Sequence, residues 1–234
     1  MTRYVFLFSL LISCSTKPVE QPVATKAPEG PVAVAAGDGA ILRLEGSPVP
    51  EGAKIEKIAG GFGFIEGPIW FKDTGAIWFS DVTGNVTRQW SPADNAITEI
   101  LRPAGYDGTD APEGSYIGPN GMVIDKDGNV LIAQHGNRRI ARRNKAGVIT
   151  TLVDRFEGKR LNSPNDMAFH SSGALYFTDP PYGLLKQDED PKKELPYNGI
   201  YRLVGGKLTL LNKEMSRPNG IAFSPDEKWL YVAN

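Results

Sequence analysis

From Glu66 onward the apolar residues come in runs of four to six, separated at regular intervals by turn-forming clusters such as Asp73-Thr-Gly75, Asp127-Gly-Asn129 and Ser171-Ser-Gly173. Four stretches share one plan: a polar residue, an apolar strand, a polar turn and a second apolar strand. They are Glu66-Gly-Pro-Ile-Trp-Phe-Lys-Asp-Thr-Gly-Ala-Ile-Trp-Phe-Ser-Asp81, Asn120-Gly-Met-Val-Ile-Asp-Lys-Asp-Gly-Asn-Val-Leu-Ile-Ala133, Asn165-Asp-Met-Ala-Phe-His-Ser-Ser-Gly-Ala-Leu-Tyr-Phe-Thr-Asp179 and Asn219-Gly-Ile-Ala-Phe-Ser-Pro-Asp-Glu-Lys-Trp-Leu-Tyr-Val-Ala-Asn234. Their leading polar residues lie 54, 45 and 54 positions apart. Two further strand candidates follow in each of the first three copies: 86–90 with 97–101, 139–142 with 148–153, and 199–203 with 208–211. Four short antiparallel strands per copy, at a period of about 50 residues, predict the blades of an all-β propeller. A β-sandwich has similar hairpins but gives no reason for one phrase to recur in register.

Blades ranged around an axis bring equivalent loop residues together, so Glu66, Asn120, Asn165 and Asn219 are predicted to converge. The aromatic residues at alternating strand positions, Trp70, Trp78, Phe79, Phe169 and Phe177, are expected to pack between blades. Two insertions, 105–118 and 184–197, are expected on the face that covers a functional pocket. Residues 55–234 supply about three and a half blades, and a propeller closes by pairing its last blade with its first. The expectation is therefore the N-terminal part of a longer protein.

Composition sharpens this picture. With 26 Lys and Arg against 27 Asp and Glu, and no long basic run, nucleic-acid binding is not expected. The 26 Gly and 18 Pro suit many tight turns and few helices. At the N-terminus, Arg3 precedes the short apolar run Val5–Ile12, which ends in Leu11-Ile-Ser-Cys14. That run is too short to span a bilayer and is expected to be a signal peptide, residues 1–14, with a lipobox whose lipidated residue is Cys14. Cys14 is the only cysteine, so no intramolecular disulfide can form. Residues 15–40, rich in Pro, Ala and charge, are expected to be a disordered tether, and 41–234 the partial propeller. A cell-envelope or periplasmic lipoprotein follows, with Ser15 resembling outer-membrane sorting and the lipid anchor as the one membrane contact.

Five phrases, in order, resemble the regucalcin/gluconolactonase family and its bacterial gluconolactonase branch. They are Glu66-Gly-Pro-Ile-Trp70, Gln134-His-Gly-Asn-Arg-Arg139, Glu157-Gly-Lys-Arg-Leu-Asn-Ser-Pro-Asn-Asp166, Thr178-Asp-Pro-Pro-Tyr-Gly183 and Arg217-Pro-Asn-Gly-Ile-Ala222. The resemblance covers about residues 45–234. It implies a six-bladed β-propeller, of which this chain carries about the first three and a half to four blades, with one divalent cation on the axis. Residue by residue it implies Glu66, Asn165 and Asn219 as metal ligands. The family's remaining Asp, both ligand and base, would fall beyond Asn234, so no catalytic residue is assigned in this chain and the fragment alone is expected to be inactive. Asn120, Arg160, His135 and Tyr182 are candidate substrate contacts.

The residues agree on the kind of metal. Carboxylate and amide oxygens are hard donors suited to Ca²⁺ foremost, with Mg²⁺ or Mn²⁺ as alternatives. Zn²⁺ is a further alternative, although two His and one Cys make a typical zinc site hard to build. Asn before Gly is also an ordinary tight-turn pair, so Asn120 and Asn219 admit a turn reading beside the ligand one. Asp166 is expected to brace its turn. The implied activity is hydrolysis of a small-molecule sugar lactone by the full-length parent. Two alternatives stand beside it: a phosphotriesterase or esterase on the same cation, and a non-catalytic, membrane-anchored binding propeller. The sequence leaves oligomeric state open.

Overall fold

A computed structural model describes residues 3–6, 53 and 57–234. The chain divides into two compact units, Met1–Ser9 with Phe62–Asn234, and Leu10–Gly61. The first carries every strand among the described residues. Cys14 and the tether 15–40 lie outside the described residues. So does most of the signal region, apart from strand β1 (Arg3–Phe6).

Three four-stranded antiparallel meanders follow one another. The first is β2 (Ile65–Phe71), β3 (Ala76–Asp81), β4 (Val86–Ser91) and β5 (Ala96–Leu101). The second is β6 (Pro119–Ile124), β7 (Val130–Gln134), β8 (Arg139–Arg143) and β9 (Ile149–Val153). A two-residue-a-side hairpin, β10 (Arg155–Phe156) and β11 (Lys159–Arg160), precedes the third, made of β12 (Met167–Phe169), β13 (Leu175–Asp179), β14 (Gly199–Val204) and β15 (Lys207–Asn212). A fourth blade starts with β16 (Ile221–Phe223) and β17 (Trp229–Val232). These are three propeller blades and the inner hairpin of a fourth, as the repeat predicts. β1 runs parallel along β17, a sense that departs from the antiparallel order inside the blades. Apart from the 3-10 turn Gln187–Glu189 there is no helix among the described residues, and none long and apolar enough to cross a membrane.

The innermost strands stand side by side, β2 beside β6, β6 beside β12 and β12 beside β16. Strand alternation points one face of each blade at the next, and apolar layers fill the gaps. Met122, Val130 and Ile132 pack with Ile69, Phe71 and Trp78 between blades one and two. Phe177, Tyr201, Leu131 and Ile140 anchor the layer between two and three, where Phe169 also packs. Tyr176, Ile200, Ile221 and Leu230 anchor the layer between three and four. Trp70 and Phe79 are the exceptions among the expected packing aromatics: both lie on the face of the first blade opposite Ile69, Phe71 and Trp78, where Trp70 is 54 % exposed and Phe79 meets Phe62 edge-on at 5.2 Å rather than a second blade.

Candidate active site

The register breaks at one position in both of the first two inner strands. In β2 the pairing slips between Glu66 and Ile69, and in β6 between Pro119 and Met122. Such bulges turn a side chain out of the strand's alternation, and here they carry Glu66 and Asn120. Gly67 makes the first bulge feasible: its φ is +52°, and a Cβ there would lie 2.2 Å from the Asn120 carbonyl oxygen. In the third and fourth blades the corresponding residues precede the strand. Asn165 N–H donates to Thr178 O and Asn219 N–H donates to Ala233 O, each at 2.9 Å.

Links between blades then fix these positions around the axis. Ser80 Oγ of β3 donates to Asn120 O at 2.7 Å, and Thr178 Oγ1 of β13 donates to Asn219 O at 2.7 Å. Between them, Gly121 N–H donates to Asn165 O at 2.8 Å. Asp166 braces its turn as expected: its carboxylate accepts from Met167 N–H at 2.8 Å and Ile221 N–H at 3.1 Å. Burial raises its pKa.

Glu66, Asn120, Asn165 and Asn219 all line a cavity of about 320 Å³ and a second one of about 250 Å³, so the four stand between two chambers. Asn120 and Asn165 are buried, at 5 % and 3 % exposure. Glu66 Oε2 accepts from Gly67 N–H at 3.3 Å. Among the described residues the side-chain oxygens of Asn120 and Asn219 make no hydrogen bond to protein. One carboxylate and three amides facing a shared space fit an oxygen-loving divalent cation. No group of three His, Cys, Asp or Glu able to hold a metal occurs among the described residues.

The larger cavity also takes in His135 and Tyr182, with Phe64, Tyr116 and Gln187 at its edge. His135 is 1 % exposed, and its Nδ1 lies 3.1 Å from Tyr116 O. A carbonyl only accepts, so Nδ1 carries the proton and Nε2 keeps its lone pair. Burial pushes the imidazole pKa down to about 4, leaving it neutral near pH 7. Asn165 Nδ2 sits 3.5 Å from that Nε2, a long contact that turns the amide nitrogen to the ring and Oδ1 away from it. Gly183 lets its loop approach, since a Cβ there would lie 2.6 Å from His135 Cβ.

A buried polar knot supports the loops beneath. Asn162 donates through Nδ2 to Asp179 O, Tyr197 O and Asn198 Oδ1, and through its backbone N–H to Asp179 Oδ2. Arg138 Nε donates to Leu161 O and Asn162 O. Burial raises the Asp179 carboxyl to about 7. The three segments tied here lead to His135, Asn165 and Tyr182.

Arg160 is not brought to this cavity. Its Nη2 donates to Asn137 O at 2.8 Å, its backbone N–H donates to Glu194, and it lines a separate pocket of about 120 Å³ with Arg138 and Lys192. Gln187, Tyr116 and Phe64 were not singled out from the sequence. Tyr116 and Gln187 nevertheless lie in the two insertions expected to cover the pocket, and Tyr116 packs edge-on against Phe64 at 5.3 Å.

Residues 64–234 match the family model described as "SMP-30/Gluconolactonase/LRE-like region". The chain belongs to this family. It is 44 % identical over 187 residues to a gluconolactonase of Zymomonas mobilis, covering 77 % of this chain and 51 % of that one. The solved structure of a gluconolactonase from Xanthomonas campestris aligns with a TM-score of 0.63 at 33 % identity, over 75 % of this chain and 56 % of that one. A calcium-binding regucalcin from Agrobacterium tumefaciens shares the fold, with a TM-score of 0.51 at 24 % identity over 71 % and 48 % of the two chains. The chain spans about half the length of the curated relatives it matches. Within this family the three meanders are successive blades of a six-bladed propeller.

Proposed function

We propose that the whole protein hydrolyses sugar lactones at the axial cavity, with one divalent cation, Ca²⁺ foremost, held by Glu66, Asn165 and Asn219. The observation that carries this is the convergence of one carboxylate and three amide side chains, from four successive repeats, on one space. The family match and the gluconolactonase relatives support the reaction class. When bound, the cation supplies Lewis acidity toward the lactone carbonyl and lowers the pKa of water.

The chain's own residues do the rest. Glu66 gives the ring its negative charge. His135, neutral and buried, holds Asn165 so that its oxygen faces the axis. Asn120 and Tyr182 line the space where the lactone ring would lie, and the Tyr116 and Phe64 rings shield it from water. Glu66 is the single carboxylate among the described residues lining the larger cavity, and a ligand carboxylate is a poor proton acceptor. The base is therefore assigned to the Asp that the family resemblance implies.

For the N-terminus we propose a lipoprotein signal over 1–14 with lipidation at Cys14, a tether over 15–40 and the propeller from 41, which together display the enzyme in the cell envelope. The functional test is acid release by the whole protein from a panel of lactones and phosphotriesters, with and without chelator. Chelator-sensitive lactone hydrolysis restored by Ca²⁺ is expected. Hydrolysis of no lactone, or hydrolysis indifferent to chelation, contradicts the proposal.

A further inference from the structure

The insertion between β13 and β14 sends into the cavity one side chain that no repeat phrase points to. Gln187 opens the 3-10 turn with φ at +50°, in the left-handed region where a side chain is strained and glycine is not. Its backbone is fully used, N–H donating to Leu184 O at 3.0 Å and O accepting from Asp190 N–H at 3.1 Å.

A clamp holds this strained residue in place. The Asp188 carboxylate bonds the Arg217 guanidinium, accepts from Asn198 Nδ2 at 3.0 Å and has Lys193 Nζ at 3.7 Å. Arg217 Nη2 also donates to Gln187 Oε1 at 3.1 Å. With the carbonyl end of the amide committed to Arg217, the Nε2 end takes the other side. Among the described residues Nε2 donates to no protein atom, and Gln187 lines the same cavity as Glu66, Asn165 and Asn219. Arg217 also stands two residues before Asn219, so one clamp sets the rim and the ligand loop together.

Resting on the lactone-hydrolase reading, we propose that Gln187 is a specificity-determining residue that donates Nε2 hydrogen bonds to hydroxyl oxygens of a polyhydroxylated lactone, with Asp188 and Arg217 as its positioning residues. A strained backbone under a side chain that lines a cavity and leaves its donors without a protein partner is accounted for by what those donors bind. A ring bearing hydroxyls supplies acceptors for them, and an unsubstituted lactone of the same ring size does not. A site with committed donors discriminates against the ligand that leaves them unmet.

The test compares kcat/KM for gluconolactone and for δ-valerolactone in the whole protein, wild type against Gln187→Gly and Gln187→Glu. Glycine relieves the left-handed backbone, so its melting temperature is expected to equal or exceed wild type, which separates lost recognition from lost folding. Glutamate keeps an oxygen for Arg217 and loses both donors. In each variant the gluconolactone to δ-valerolactone ratio is expected to fall about five- to tenfold, through KM for gluconolactone. A ratio equal to wild type in both variants, with or without an overall loss of rate, overturns the assignment while leaving the lactonase reading intact. A wild-type protein that hydrolyses neither lactone overturns that reading, and the assignment with it.

Discussion

The His135 imidazole donates Nδ1–H to Tyr116 O and is buried, so a second proton on it would be cut off from water, with the Asn165 amide nitrogen rather than an acceptor facing Nε2. Its folded pKa of about 4 lies below the ordinary histidine value, so between the two the unfolded chain binds the proton and the folded chain does not. Stability from this group is complete above about pH 6.5 and is lost as pH falls toward 4, by up to about 3 kcal/mol. Asp179 acts in the opposite sense: its carboxyl is raised to about 7, so its contribution is complete below about pH 4 and is lost as pH rises through 7. The two slopes oppose each other, and a variant is needed to separate them. Denaturant unfolding between pH 4.5 and 6 is expected to show the slope of stability against pH change by about 1 kcal/mol per pH unit between wild type and His135→Gln. Equal slopes would mean that the ring titrates normally. At this scale the ring of Glu66, Asn120, Asn165 and Asn219 was legible because each opens a copy of the same phrase. Arg160 lines a different pocket from these four, because its guanidinium donates to the Asn137 carbonyl and Glu194 holds its backbone N–H. Gln187 was invisible because nothing in its insertion repeats.

The inner strands hold the ring, and their joints are polar. Thr178 Oγ1 donates to Asn219 O and accepts from Asp166 N–H, and it is buried. Thr178→Val keeps the volume and removes both bonds, so a loss of about 1–3 kcal/mol is expected in urea unfolding. Ca²⁺ affinity should fall with it, because Asn219 loses its anchor. A variant with unchanged stability would show that β13 does not tie the fourth blade to the third. Gly67→Ala is expected to be worse, at about 2–4 kcal/mol, since it meets both a left-handed φ and the Asn120 carbonyl. Its melting temperature checks this, and a near-native value would contradict the close approach. Most strands could be read from alternation and turn residues. The β10–β11 hairpin could not, because two residues a side leave no period to detect. Its only signal is the Glu157-Gly158 pair, both at positive φ, which is the turn chemistry of a tight hairpin. Trp70 and Phe79 depart from expectation for a related reason: alternation tells which face a residue takes, and not whether a neighbouring blade covers that face.

Across the whole molecule, successive blades each contribute one oxygen-bearing side chain to the axis, and the insertions contribute the rim. This division explains why the proposed metal ligands sit on the repeat while Tyr116 and Gln187 sit outside it: the repeat is fixed by blade packing, whereas insertions vary at little cost to the core. Glu66 is the one formal charge among the four oxygen-bearing side chains facing both chambers. Removing it should therefore weaken a cation far more than it weakens the fold. The most direct test is calorimetric titration of Ca²⁺ into the whole protein, wild type beside Glu66→Gln. The account predicts one ion bound per wild-type molecule and an affinity lower by at least about tenfold in the variant, whose melting temperature without metal stays near wild type. A wild-type protein that binds no divalent ion, or a variant that binds as tightly, would contradict it.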